Sequence, residues 1–159
     1  MADPTESADP GERRVVSAER EVAAPADVVF ELIADPARQP TWDGNDNLDE
    51  AVRADRITAV GQLFAMRLTN GQVRDNHVVD FHEGALIAWR PSVEGEQPIG
   101  HEWRWEVEAI DEGRSRVRHT YDWTDLTDET RLPRARRTGE EQLRASLDRL
   151  ADAAESDRG

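Results

Sequence analysis

The sequence contains no cysteine. That absence excludes disulfides, thiolate catalysis and thiolate-held metals. Lysine is missing too, so all 20 basic residues are arginine and no Schiff base can form. No apolar run approaches the roughly 18 to 20 residues that a bilayer-crossing helix needs. The N-terminal MADPTESADPGERR has no hydrophobic stretch and does not read as a signal peptide. Positive charge is in the minority, 20 arginines against 34 acidic residues for a net charge of −14. A nucleic-acid or anionic-membrane partner is therefore not expected, and a cytoplasmic protein is. The surplus of Arg, Ala and Asp fits codon bias in a GC-rich bacterial genome.

Aromatic residues are few in number, but three of the five tryptophans fall in one stretch. His101 to Trp123, HEWRWEVEAIDEGRSRVRHTYDW, places Trp103, Trp105, Val107, Val117, Tyr121 and Trp123 in one phase, with His101 and His119. Glu and Arg fill the other. Period two with one polar side predicts two half-buried strands. Asp111-Glu112-Gly113 breaks them as a three-residue loop, with Gly113 expected in the left-handed region. The register then sets Trp105 opposite His119, Trp103 opposite Tyr121 and His101 opposite Trp123. On the polar side it sets Glu106 opposite Arg118 and Glu108 opposite Arg116, the charge complementarity a correct register produces. Indoles and imidazoles keep a polar tip, so this face is either a core with its tips satisfied or the wall of a ligand cavity.

At 159 residues the chain is expected to form one domain that buries about two-thirds of its unfolded surface. Residues 1–12 read as a disordered tail, 13–155 as the domain and 156–159 as a short tail. Arg14 to Val22 is a first strand with Val16, Ala18, Arg20 and Val22 inward, and an inward Arg20 needs a carboxylate or an anionic ligand group, unless it reaches water at the strand end. Ala24-Pro25-Ala26-Asp27 opens a helix that buries Val29, Leu32 and Ile33 and stops at Asp35-Pro36. A short turn to Trp42 and a polar bend follow. Leu48 to Arg53 and Gly61 to Leu68 are strands. Asn70-Gly71 is read as a two-residue hairpin turn pairing Met66 with Asp75 and Phe64 with His77. His82-Glu83-Gly84 then returns the chain so that His77 faces Trp89, and residues 91–99 form a loop. The last helix is expected to run unbroken from Pro133 to Ala154, with Gly139, Leu143, Ser146, Leu147, Leu150 and Ala154 inward. Gly139 in mid-helix and few large apolar residues before Leu143 leave a hollow under its first half.

The order of strand, two helices, six antiparallel strands and a long helix is that of the helix-grip fold. APADVVFELIADPARQPTW, AVGQLFAMRL and GEEQLRASLDRLADAAE together resemble the START-like polyketide cyclase/dehydrase superfamily, often called SRPBCC. The resemblance implies an α+β domain in which about seven curved antiparallel strands wrap a C-terminal helix around an internal cavity. The superfamily includes cyclases, lipid and hormone carriers, ring-hydroxylase subunits and chaperone regulators, so it implies a pocket without naming a reaction. The two-His, one-carboxylate motif of its iron-binding branch is not seen.

The residues placed at the cavity are Trp42, Phe64, Met66, His77, Phe81, Trp89, Trp103, Trp105, His119, Tyr121, Gly139 and Leu143. A metal is not expected. Four residues separate His119 from Trp123, the partner of His101, so the two imidazoles lie roughly 13–14 Å apart at about 3.4 Å per residue. No cofactor motif is present. His77, Asp75 and His119 are the candidates for proton transfer; the plainer reading leaves Asp75 in water and His77 as a neutral core imidazole. Three functions follow in order: a binding protein for an apolar, aromatic or lipid-like small molecule, a cyclase or dehydrase using these acid–base groups, and a regulator acting through its acidic surface. Nothing in the sequence indicates the oligomeric state.

Overall fold

The computed structural model describes residues 14–42, 48–53 and 55–157. In chain order these form β1 (Val15–Val22), α1 (Ala26–Ala34), a 3-10 turn (Pro36–Thr41), β2 (Leu48–Arg53), β3 (Leu63–Leu68), β4 (Val73–His82), β5 (Leu86–Val93), β6 (Glu102–Asp111), β7 (Arg114–Asp122), α2 (Leu132–Arg137) and α3 (Glu140–Asp157). The strands make one antiparallel sheet in the order β1-β7-β6-β5-β4-β3-β2. It is an unbroken meander from β2 to β7, with β1 returning to pair beside β7. This is the helix-grip arrangement. The expected tail, residues 1–12, and most of the polar bend after Trp42 lie outside the described residues.

Alternation along the strands builds a single core. Ala18 and Val22 of β1, Trp105 and Val107 of β6 and Val117 of β7 point inward and are buried. They meet Leu143, Leu147, Leu150, Ala151 and Ala154, the apolar stripe of α3. Glu19, Glu21, Arg114, Arg116 and Arg118 occupy the outer face of the same strands and pair across them: Arg118 reaches Glu19 at 2.5 Å and Arg116 reaches Glu108 at 3.5 Å. Arg20 is inward as its phase requires, and it donates to Asp148 of α3 at 2.7 Å. The helix supplies the carboxylate that this position needs.

The aromatic hairpin has the expected register, with Trp105 opposite His119, Trp103 opposite Tyr121 and Glu106 opposite Arg118. Its turn differs. Asp111 pairs with Arg114 after a register shift that follows Ala109, and Gly113 is absent from the left-handed glycines. A bulge and a two-residue turn replace the glycine-dependent three-residue loop. Elsewhere the left-handed glycine is needed. Gly71 has φ 90° and closes a three-residue loop, Leu68 N–H donating to the Gln72 carbonyl at 2.7 Å.

That third loop residue overturns the expected β3–β4 pairing. Phe64 lies opposite Asn76 and Met66 opposite Arg74, one residue away from the expected partners. A slip of one residue moves every side chain to the other face. Arg74, Asn76 and Val78 therefore share the side of Phe64 and Met66, while Asp75 and His77 take the reverse side. The expected row Phe64–His77–Trp89 does not exist: His77 pairs with Arg90 and Trp89 with Val78. Strand β5 also continues through Pro91 to Val93, where a loop was expected.

The last helix is broken. α2 ends at Arg137 and α3 starts at Glu140, so Gly139 is a junction residue and not a mid-helix one. The break has a local cause. Gly139 stands at the N-cap of α3 and donates its N–H to Gln142 Oε1 at 2.8 Å, one half of a capping box. Gln142 Nε2 ties back to the Arg137 carbonyl at 3.2 Å, and Glu140 and Glu141 place negative charge in the first turn. Thr138-Gly139-Glu140-Glu141-Gln142 is thus a helix start inside what periodicity reads as one helix.

Candidate functional site

The concave face of the sheet, α2, the start of α3 and the 3-10 turn enclose a partly open cavity of about 170 Å³. Its wall is the aromatic face of the β6–β7 hairpin. His119 stacks on Trp105 with ring centroids 3.6 Å apart and planes 14° off parallel, and Trp103 lies over its other side at 5.5 Å and 19°. Trp103 also meets Tyr121 at 4.3 Å. Trp42 stands edge-on to Trp105 at 5.1 Å and donates its indole N–H to the Leu32 carbonyl at 2.9 Å. It therefore both anchors the bend after the 3-10 turn and lines the cavity. Trp89 and Met66 complete the apolar side.

Of the twelve residues expected at a cavity, Trp42, Met66, Trp89, Trp103, Trp105, His119 and Tyr121 line it. Phe64 supports it from behind, its ring edge-on to Trp89 at 5.2 Å. Phe81 packs on Phe30 of α1 at 6.1 Å, and Leu143 is 1 % exposed within the core. Gly139 sits at the helix junction. His77 and Asp75 lie on the far side of the sheet. His77 Nε2 meets Ser92 Oγ at 3.0 Å, and Asp75, buried, accepts the Gly95 N–H at 2.8 Å. Asp75 thereby pins the turn after β5, which is a structural duty. The far-side placement follows directly from the β3–β4 slip.

Leu48, Leu68 and Pro91 add apolar surface, and the rest of the lining is polar. Gln39, Arg74, Asn76, His101, Arg131, Arg134, Thr138 and Ser146 all reach the cavity. Arg74 and Asn76 enter through the corrected register. Arg131, Arg134 and Thr138 follow the spacing i, i+3, i+7, one face of a helix, and a search for apolar stripes passes over a polar face of that period. Among the described residues no group of three or more His, Asp or Glu is placed to hold a metal ion.

Burial sets the protonation states. His119 Nδ1 lies 3.1 Å from the Arg104 carbonyl. A carbonyl can only accept, so Nδ1 carries the proton and Nε2 keeps a lone pair. Burial pushes His119 down to about 3, only partly opposed by that hydrogen bond. His101 falls to about 4, first through burial and then through the charges of Arg131, Arg134, Arg74 and Arg90. Both imidazoles are neutral near pH 7. Burial raises the Tyr121 phenol above its ordinary range, so it too is neutral there. Arg131 is lowered by burial and by its neighbours Arg134 and Arg74. At about 3, His119 lies far from the operating pH that favours general-base catalysis.

The chain is 33% identical over 111 residues to the uncharacterized protein Rv0088 of Mycobacterium tuberculosis, covering 68% of this chain and 47% of that protein. It therefore spans about half the length of the curated relatives it matches. Among solved structures, the Mesorhizobium loti protein MLL2253 superposes with TM-score 0.67 at 16% identity, covering 90% of this chain and 98% of that one. DynU16, from the dynemicin biosynthetic locus, superposes with TM-score 0.65 at 18% identity, covering 91% of this chain and 48% of that one. At such identity these structures speak for the fold. Residues 13–155 match the family described as polyketide cyclase / dehydrase and lipid transport, and the chain belongs to that family.

Proposed function

We propose that this protein binds a small aromatic molecule in the cavity between the sheet and the α2–α3 junction. The observation that carries the reading is the lining: Trp42, Trp89, Trp103, Trp105 and Tyr121 converge on about 170 Å³ of empty space. Aromatic walls with a few convergent polar groups are the usual make-up of a small-molecule site. The volume sets the scale. An apolar cavity of about 150 Å³ accommodates benzene, so this one suits one ring, or two with little to spare. A long acyl chain or a tetracyclic polyketide does not fit without the site opening.

A second reading has one observation in its favour. His119 presents a lone pair at Nε2 in a cavity-lining residue, and the family description names cyclases and dehydrases. Its depressed basicity makes it a weak proton acceptor, so binding ranks ahead of catalysis.

Titration with one- and two-ring aromatics, followed by tryptophan fluorescence and calorimetry, is expected to show saturable one-to-one binding. Filling the cavity with Thr138→Phe or Ser146→Leu should abolish it while circular dichroism stays unchanged. Absence of saturable binding, or binding indifferent to both substitutions, would sink the proposal. Should His119→Phe leave affinity intact and no aromatic probe be converted by the parent protein, the catalytic reading falls.

A further inference from the structure

One side of the cavity carries charge of a sign the chain as a whole has little of. The protein has a net charge of −14, yet Arg74, Arg131 and Arg134 all line the cavity and, among the described residues, no Asp or Glu does. Elsewhere arginines meet acids: Arg20 with Asp148, Arg56 with Glu83, Arg90 with Glu102 and Asp125, Arg104 with Asp80. Arg74 by contrast donates, among the described residues, only to the neutral Gln72 side chain, at 3.0 Å. Arg131 and Arg134 form no ion pair with any described carboxylate, and Asp128 reaches Arg131 only as a weak through-space charge. A guanidinium is always charged and presents a planar fork of donors. Three of them unmatched at one cavity form a focused positive field in an otherwise acidic molecule.

An independent observation points to the same place. His101 is 4% exposed and lines the cavity, and its Nδ1 is buried without a hydrogen-bond partner. Leaving a buried ring nitrogen unmatched costs free energy, and such a group calls for a specific explanation. Arg74, Arg131 and Arg134 line the same cavity as His101, and their charges help lower this imidazole. Its ring stands near the Tyr121 ring, centroids 6.1 Å apart, where the aromatic wall meets the basic side.

We propose that the cavity receives an aromatic carboxylate, its ring against Trp103, Trp105 and Tyr121 and its anionic group on Arg74, Arg131 and Arg134. This rests on the small-molecule reading above and narrows it to a chemical class. A carboxylate is the match for the guanidinium fork, and a one- or two-ring acid is what the volume admits. Phosphate monoesters of similar size are a competing source of the same anionic chemistry, which the test separates.

The test compares isosteres. Cinnamate and 2-naphthoate are titrated against cinnamamide and 2-naphthamide, which keep size and shape but lose the charge; phenyl phosphate is a third arm. The carboxylates should bind at least about ten-fold more tightly than their amides, the scale of one charge-assisted hydrogen bond, and more tightly than phenyl phosphate. In Arg131→Gln/Arg134→Gln that preference should shrink to within about three-fold, with carboxylate affinity falling far more than amide affinity. Arg134 is exposed, so Arg134→Gln alone folds even if the double variant does not, and it should lose part of the preference. Equal binding of acid and amide by the parent protein overturns the anion assignment and leaves the pocket reading standing. Binding of neither overturns both. Tighter binding of phenyl phosphate moves the assignment from carboxylates to phosphate esters and overturns it as stated.

Discussion

Lowering the pH from 7.5 to 5.0 should destabilise the protein by about 4 kcal/mol through two residues, His101 and His119. In the unfolded chain each titrates near 6.5, and in the fold burial holds them at about 4 and about 3. A depressed folded value means the unfolded state takes up protons first. The contribution is intact above 6.5 and is lost as pH falls through the window down to about 4 for His101 and about 3 for His119. At pH 5.0 the unfolded chain carries nearly two more protons on this pair than the native state. The slope there is about 2.5 kcal/mol per pH unit, and integration from pH 7.5 gives about 2 kcal/mol for each imidazole. Glu31, Asp111 and Asp128 are held below their ordinary values by hydrogen bonds to Arg56, to the Gly113 N–H and to Thr130, so their contribution is lost as pH falls from 4.5 for Glu31 and 3.8 for the two aspartates, mainly below the pH 5.0 end-point. Urea unfolding followed by tryptophan emission at half-unit intervals measures the slope. His119→Phe, which keeps a ring beside Trp105, should remove about half of it. A parent slope under one proton, or an unchanged slope in the variant, would refute the claim that these imidazoles are neutral and buried.

Leu147 is fully buried on the inner stripe of α3, and Leu147→Ala should cost about 2–5 kcal/mol in chemical denaturation. Gly100 has φ +124° and a Cβ there would sit 2.2 Å from the Asp125 carbonyl oxygen. Gly100→Ala should therefore destabilise by roughly 2–4 kcal/mol or prevent folding, read as a lowered Tm. Gly139 offers the opposite case, since a Cβ would meet only Gln142 Oε1 at 3.7 Å. Gly139→Ala should cost less than about 1 kcal/mol, the difference between Gly and Ala at an N-cap; a larger loss would show that the α2–α3 break needs more than the cap.

Local periodicity settled much of this protein. Strict alternation from Glu102 to Asp122, with opposite charges meeting on one side, left a single workable register for β6 and β7. It thereby identified the wall on which Trp103, Trp105, His119 and Tyr121 stand. The stripe from Leu143 to Ala154 likewise marked the face of α3 that packs on the sheet. What escaped was decided by one-residue differences in turns and by polar groups. Asn70-Gly71 can close a hairpin with two or three loop residues, and local sequence does not choose between them. The tertiary structure takes three, which turns Arg74 and Asn76 toward the cavity and sends Asp75 and His77 to the far side. The capping pattern at Gly139 to Gln142 sits at the head of a helical stripe running to Ala154, and periodicity alone does not place a break there. Arg131, Arg134 and Thr138 carry no apolar signal at all, and their meeting with Arg74 and His101 joins segments far apart in the chain. Only folding brings those charges to one place, because the field they make is a property of the folded sheet and its helices and not of any stretch of sequence.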